Sequence, residues 1–313
     1  MQLISTNLSC LGEELPVAVT QAAIQHQSDH TKAMLAGISD DTLLSYPPMS
    51  IPSKIMAMEL LSKQFMNYIF SDDGDSMPMI AFKMVQTSLT YGMNPLSGVG
   101  FALYSNYLAL VRGEVAEGYR YVKVALLLMK RMPSIAHDGE IMYYATHTML
   151  RVEPLQSAIE HYADTYRVAM ASGATRFAFG CSFMYDFCGF WSGKKLELVM
   201  NSMKETMKQM IFYKNLVMLS LLRPVFLLSL RLTGQSDVHT HDVLTNVFGE
   251  TYAEGGVSSK LPMVELATCF AKFYEGLVFR EVDIARNSVE KYLSMASLSK
   301  ANMSNPGDFF RTL

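Results

Sequence analysis

The chain has 313 residues, half of them hydrophobic and 18% charged, with a formal net charge of -3. That composition excludes intrinsic disorder, and the length suffices for one long domain or two with a large core. With no excess of Lys and Arg it excludes the electrostatic footprint of a nucleic-acid binder, so partners are expected to be recognised by shape.

The N-terminal "MQLISTNLSCLGEELP" lacks a basic region ahead of a continuous apolar core and does not read as a signal peptide. One helix follows, "LPVAVTQAAIQHQSDHTKAMLAG", in which His26 and His30 lie one turn apart, the spacing that brings two imidazoles to one metal. Gln27 stands where an HExxH motif needs its glutamate and no third ligand is identifiable, so a solvated helix face is expected. Proline-rich "SYPPMSIPSK" then leads into regular structure.

From there apolar residues recur at three- and four-residue intervals. The periodicity predicts helices at roughly 54–70, 78–91, 95–111, 115–131, 139–150, 155–171, 175–191, 195–213, 216–232, 238–248, 262–277 and 281–297. Few segments alternate with period two, so no strands are expected. "SDDGDS", Ser71 to Ser76, has the composition of a cation loop without its alternating acidic positions, and reads as a turn capping the next helix.

"YGMNPLSGVGFALY", Tyr91 to Tyr104, begins like a phosphate-cradling loop, but Val99 and Gly100 stand where a Walker A motif needs Lys and Ser or Thr, and a helix precedes it rather than a strand. Asn94 and Pro95 read instead as an N-cap with proline in the first turn, and Gly98 and Gly100 as points of close helix approach. Tyr143, Tyr144 and His147, with Trp191, are candidate groove residues, although buried aromatics account for each as well.

Glu153 with Pro154 starts another helix, and "ATRFAFGCSFMYDFCGFW", Ala174 to Trp191, carries two adjacent apolar faces and so belongs inside the fold. "NLVMLSLLRPVFLLSL", Asn215 to Leu230, is short for a membrane span and holds Arg223 and Pro224, so a buried helix is expected. The rings of "HTH", His239 to His241, fall on different sides of a helix, and "GETYAEGGVSSKLP" reads as a loop. Most of the 24 methionines lie on apolar faces and read as core. Cys10, Cys181, Cys188 and Cys269 form no CxxC pair, which points to neither a disulfide framework nor a zinc site and fits a reducing, cytoplasmic setting.

Turns between paired helices are expected near Gly74, Gly113, Glu153, Gly193, Gly234 and Gly276. That spacing of about 40 residues is typical of stacked two-helix repeats. The expected fold is therefore all-α, a right-handed solenoid of tetratricopeptide-like repeats, with a helical lead-in over 1–50, the repeat domain over 51–300 and a tail over 301–313.

Several segments together resemble the helical-repeat region that follows the AAA-type ATPase module in large multidomain signalling proteins. These are "YPPMSIPSKIMAMELL" (46–61), "KMVQTSLTYGMNPLSGVGFALYSNYLAL" (83–110), "GEVAEGYRYVKVALLLMKRM" (113–132), "FMYDFCGFWSGKKLE" (183–197) and "LLSLRLTGQS" (227–236). Met93, Asn94, Asp186 and Gly189 depart from that pattern. The resemblance implies a part of a longer protein with a kinase-like domain, an ATPase, and GAF and histidine kinase or cyclase domains. It also implies a non-catalytic role here, relaying between ATPase and output domain through protein contacts, while the residues themselves signal no cofactor, no metal and no membrane insertion. The alternative is a helical metal-dependent enzyme or ligand-binding sensor with its site in the groove, for which His26, His30, Asp72, Asp73 and Asp75 are the metal candidates.

Overall fold

The computed structural model describes residues 2–16, 19–69, 74–235 and 261–297. Among them the regular structure is entirely helical apart from one isolated bridge between Pro48 and Met93. The chain divides after Glu153 into two compact units. No described helix is long and apolar enough to cross a membrane. The expected helix at 238–248, the "HTH" triplet, most of the loop after it and the tail over 301–313 lie outside the described residues.

The first unit contains α1 (Gln2–Cys10), α2 (Gln21–Leu35), α3 (Asp40–Ser45), α4 (Pro52–Ile69), α5 (Met77–Tyr91), α6 (Pro95–Asn106), α7 (Val115–Arg131) and α8 (Asp138–Met149). The short α1 and α3 were not legible from periodicity; α1 contributes Leu8 and α3 contributes Leu43 to the core. Thr20 starts α2 by accepting the Ala23 amide at 3.2 Å, later than the apolar pattern implies.

At the centre lies α6, buried from Leu96 through Asn106 and packed by α4, α5, α7 and α8. Its sequence "PLSGVGFALYSN" carries no charge, which lets neighbours cover every side. A Cβ at Gly98 would stand 2.7 Å from Ile141 Cδ1 of α8, and one at Gly100 would stand 2.8 Å from Met84 Cβ of α5. Side chains thus fill the space a phosphate would need. The expected cap is present: Asn94 Oδ1 accepts the Ser97 amide at 3.0 Å and Ser97 Oγ accepts the Asn94 amide at 3.0 Å, a reciprocal capping box. After α6 the helix widens into a π turn over Tyr107–Val111, where the Arg112 amide reaches the Tyr107 carbonyl at 3.1 Å.

The same loop is tied to the proline-rich connection. Met49 donates its amide to the Met93 carbonyl at 2.7 Å, and Met93 donates to Pro47 at 2.8 Å. On α7, Gly118, Tyr121, Val122, Ala125 and Leu128 form the buried stripe that faces α6 and α8, and a Cβ at Gly118 would stand 2.8 Å from the Ser105 carbonyl.

The second unit holds α9 (Leu155–Ala171), α10 (Thr175–Trp191), α11 (Leu196–Phe212), α12 (Leu216–Leu232), α13 (Pro262–Val278) and α14 (Val282–Ser297). Its closest pairs are α9 with α10, joined across Gly173, and α13 with α14. The turn expected near Glu153 is present between α8 and α9, and it is also where the two units divide. Met200, Met203, Met207 and Met210 make the buried stripe of α11, and α12 is buried along most of its length despite Pro224.

Gly276 lies inside α13, as the expected helix over 262–277 has it, just ahead of the turn expected there. Its hydrogen faces α14, where a Cβ would stand 2.7 Å from the Ala285 amide nitrogen. The chain reverses three to five residues later, with Arg280 in the left-handed region at φ 58°.

Candidate functional site

In the first unit a cleft of about 1010 Å³ lies where the end of α2 and the 36–39 turn face the start of α7. Its position follows from the chain: the left-handed Gly113 ends the π turn and aims the first turn of α7 at the cleft. Glu114 occupies the N-cap without a side-chain cap bond, and the first bond of the helix runs from the Gly118 amide to the Glu114 carbonyl at 2.9 Å. The amides of Val115, Ala116 and Glu117 precede that bond and carry the positive end of the helix dipole into the cleft.

Charges of both signs surround this opening. Lys32 Nζ donates to both oxygens of Glu114 at 2.7 and 2.6 Å, and Arg112 lies 3.5 Å from the same carboxylate. Arg120 donates to Asp40 at 2.8 Å, to the Ile38 carbonyl at 3.0 Å and to Glu117 at 3.2 Å, with its guanidinium over the Tyr121 ring. Burial opposes the charge on Arg120, but Asp40, Tyr121 and Glu117 outweigh it and raise its pKa.

Two tyrosines form the inner wall. Tyr104 is 1% exposed and its hydroxyl makes no hydrogen bond among the described residues, although the side chain lines the cleft. Burial, with the neighbouring Tyr121, Glu114 and Glu117, pushes its pKa far up. Burial likewise lifts Tyr121 to about 12, against the pull of Arg120. Both remain neutral hydroxyls at physiological pH, with protons to donate.

A second polar cluster joins α4 to the start of α8. Ser62 Oγ donates to Glu140 Oε1 at 2.8 Å, and His137 lies 3.1 Å from Glu59 through Nε2 and 3.9 Å from Glu140 through Nδ1. In the second unit Asp186 is 1% exposed; its Oδ1 accepts from Ser202 Oγ at 2.5 Å and its Oδ2 finds no partner among the described residues. Burial pushes its pKa up to about 6, against the hydroxyls of Ser202 and Thr206 and the charge of Lys194.

The candidate groove residues fall in different places. Tyr144 is core: its hydroxyl donates to Met66 Sδ at 2.9 Å and its ring meets Phe65 edge-on at 5.3 Å. Tyr143 and His147, half-buried, pack edge to face at 4.6 Å. The Tyr143 carbonyl accepts from His147 Nδ1 at 2.7 Å, which fixes that nitrogen as the protonated one, and burial lowers the imidazole pKa to about 4. Trp191, on α10 of the second unit, packs among Phe187, Phe190, Phe270 and Tyr274, and its Nε1 is buried without a partner among the described residues.

His26 and His30 are exposed and line a smaller cleft of about 410 Å³ with Glu14, Lys83 and Gln86. No group of three or more metal-ligating side chains occurs among the described residues. Asp72 and Asp73 lie outside those residues, and Asp75 sits in a 3-10 turn, Gly74–Ser76, ahead of α5. Ser76 does not cap α5 through its side chain, contrary to the capping turn expected there.

Sequence reasoning missed the cleft residues Lys32, Tyr104, Glu114, Arg120 and Tyr121. The available signal was "GEVAEGYRY", a glycine followed by a charged first turn, but nothing in one sequence places α2 opposite it. No protein-family model matches the chain, and neither a curated protein nor a solved structure matches it.

Proposed function

We propose that this chain is a non-catalytic, solenoid-like helical module of a larger signalling protein, relaying state between an ATPase and an output domain through protein contacts. The observation that supports the reading is how the segments resembling that family are used: four of the five hold joints between helices. Residues 47–49 and 93 pair their backbones, 98 and 100 admit neighbouring helices, and 118 admits the backbone of α6. In the second unit Arg231, in the middle of "LLSLRLTGQS", does the same. Arg231 binds Glu275 and Glu281 and lies over the Phe279 ring, fixing α12 to the turn between α13 and α14.

Helices that contact mainly their chain neighbours pass a displacement along the row, because each interface is packed and repacks as a unit. Coupling between two docking sites then requires only that each partner favour one arrangement of the same joints. The test is the uninterrupted coding sequence on both sides of this chain. A GxxxxGK[ST] segment upstream and a kinase or cyclase domain downstream are expected, and a coding sequence with neither contradicts the reading.

A further inference from the structure

We propose that the cleft at the start of α7 is a binding site for a small carboxylate-bearing molecule. Three features converge there. The first-turn amides of a 17-residue helix face the opening without a side-chain cap, an arrangement that binds oxyanions. Tyr104, almost wholly buried as a residue, lines the same space, and its hydroxyl, with no hydrogen bond among the described residues, is a further donor there. Lys32 and Arg120 stand at the rim with side chains about one third exposed, where an incoming anion reaches them.

A hydroxyl that has no protein partner and faces a cleft is met there by water or by a ligand, and a carboxylate oxygen meets it with a charge-assisted bond. The resident charges set the class of anion. Lys32, Arg112 and Arg120 are balanced by Asp40, Glu114 and Glu117, so the site offers donors and dipoles but no surplus of positive charge. A phosphate dianion would lie beside Glu114 and Glu117 uncompensated, whereas a monocarboxylate is accommodated by the helix terminus and the hydroxyl. An ammonium group on the same ligand finds Glu117, whose carboxylate is 46% exposed, so amino-acid zwitterions fit the same description.

The experiment is ligand-observed NMR titration of the full chain with acetate, glycine and inorganic phosphate as separate probes. Tyr104→Phe removes the hydroxyl and keeps the packed ring. Ala116→Asp places a repelling carboxylate in the exposed first turn, where it favours the helix. Saturable binding of acetate or glycine is expected, weakened about tenfold by either substitution while the melting temperature holds. Absence of saturable binding by both, affinity unchanged in both variants, or phosphate binding as tightly as acetate would each overturn the proposal.

Discussion

Gly92 lies directly against the carbonyl of Pro47: a Cβ at Gly92 would stand 2.5 Å from that oxygen, and the residue has φ 99°. The contact lets the Met93 amide reach Pro47 and so closes the link between the proline-rich connection and the start of α6.

Gly92→Ala therefore meets a backbone clash as well as left-handed strain, and a loss of about 2–4 kcal/mol is expected in urea denaturation. Gly37, at φ 76° with nothing within 4 Å of its Cβ position, supplies the control. Its alanine variant carries strain alone and loses about 1 kcal/mol. Equal losses would show that the Pro47 contact is irrelevant.

Asp186 titrates near 6 in the folded state against 3.8 in its absence. The folded form holds the proton more tightly, so its contribution to stability is present below pH 3.8 and is lost as the pH rises through 6. Asp186→Asn should raise stability at pH 7.5 by up to about 3 kcal/mol and leave it almost unchanged at pH 3.5. A destabilised variant at neutral pH would mean that the carboxylate is well solvated.

His137 behaves with the same sign for another reason. Burial disfavours its charge, but Glu140 and Glu59 overcome that and raise the pKa above 6.5. The clasp between α4 and α8 is thus fully formed below pH 6.5 and weakens as the pH rises through the raised value. Glu59→Gln should flatten this part of the stability profile by up to about 1 kcal/mol. A profile between pH 6 and 8 identical to that of the parent would remove His137 from the clasp.

Gly276→Ala drives a methyl group toward the Ala285 amide at 2.7 Å and the Glu281 carbonyl at 3.0 Å. Both are backbone atoms that cannot turn aside, so a loss of about 1–3 kcal/mol and faster amide exchange in α14 are expected. An unaltered exchange pattern would contradict close packing of α13 on α14.

Helix positions and caps were legible because they depend on neighbours in sequence: the capping box of Asn94 and Ser97 and the apolar stripe of α7 are local patterns. The close approach of α14 at Gly276 was not legible, because a glycine that admits a crossing helix has the same letter as one that reverses the chain. The cleft was illegible for a related reason. Lys32 and Glu114 are 82 residues apart, and their meeting depends on how α2 packs on α5 beside α6 and α7. Nor does the burial of Asp186 show in "FMYDFCGF", since only packing against Ser202 of α11 distinguishes it from a solvated carboxylate.

The relay is tested most directly by hydrogen exchange on the chain alone and joined to the ATPase module of its own coding sequence, with ATP and with ADP. The account predicts nucleotide-dependent changes in protection that extend past the helices touching the ATPase to others in the same unit. Exchange that is the same in both nucleotide states throughout the described helices would contradict it.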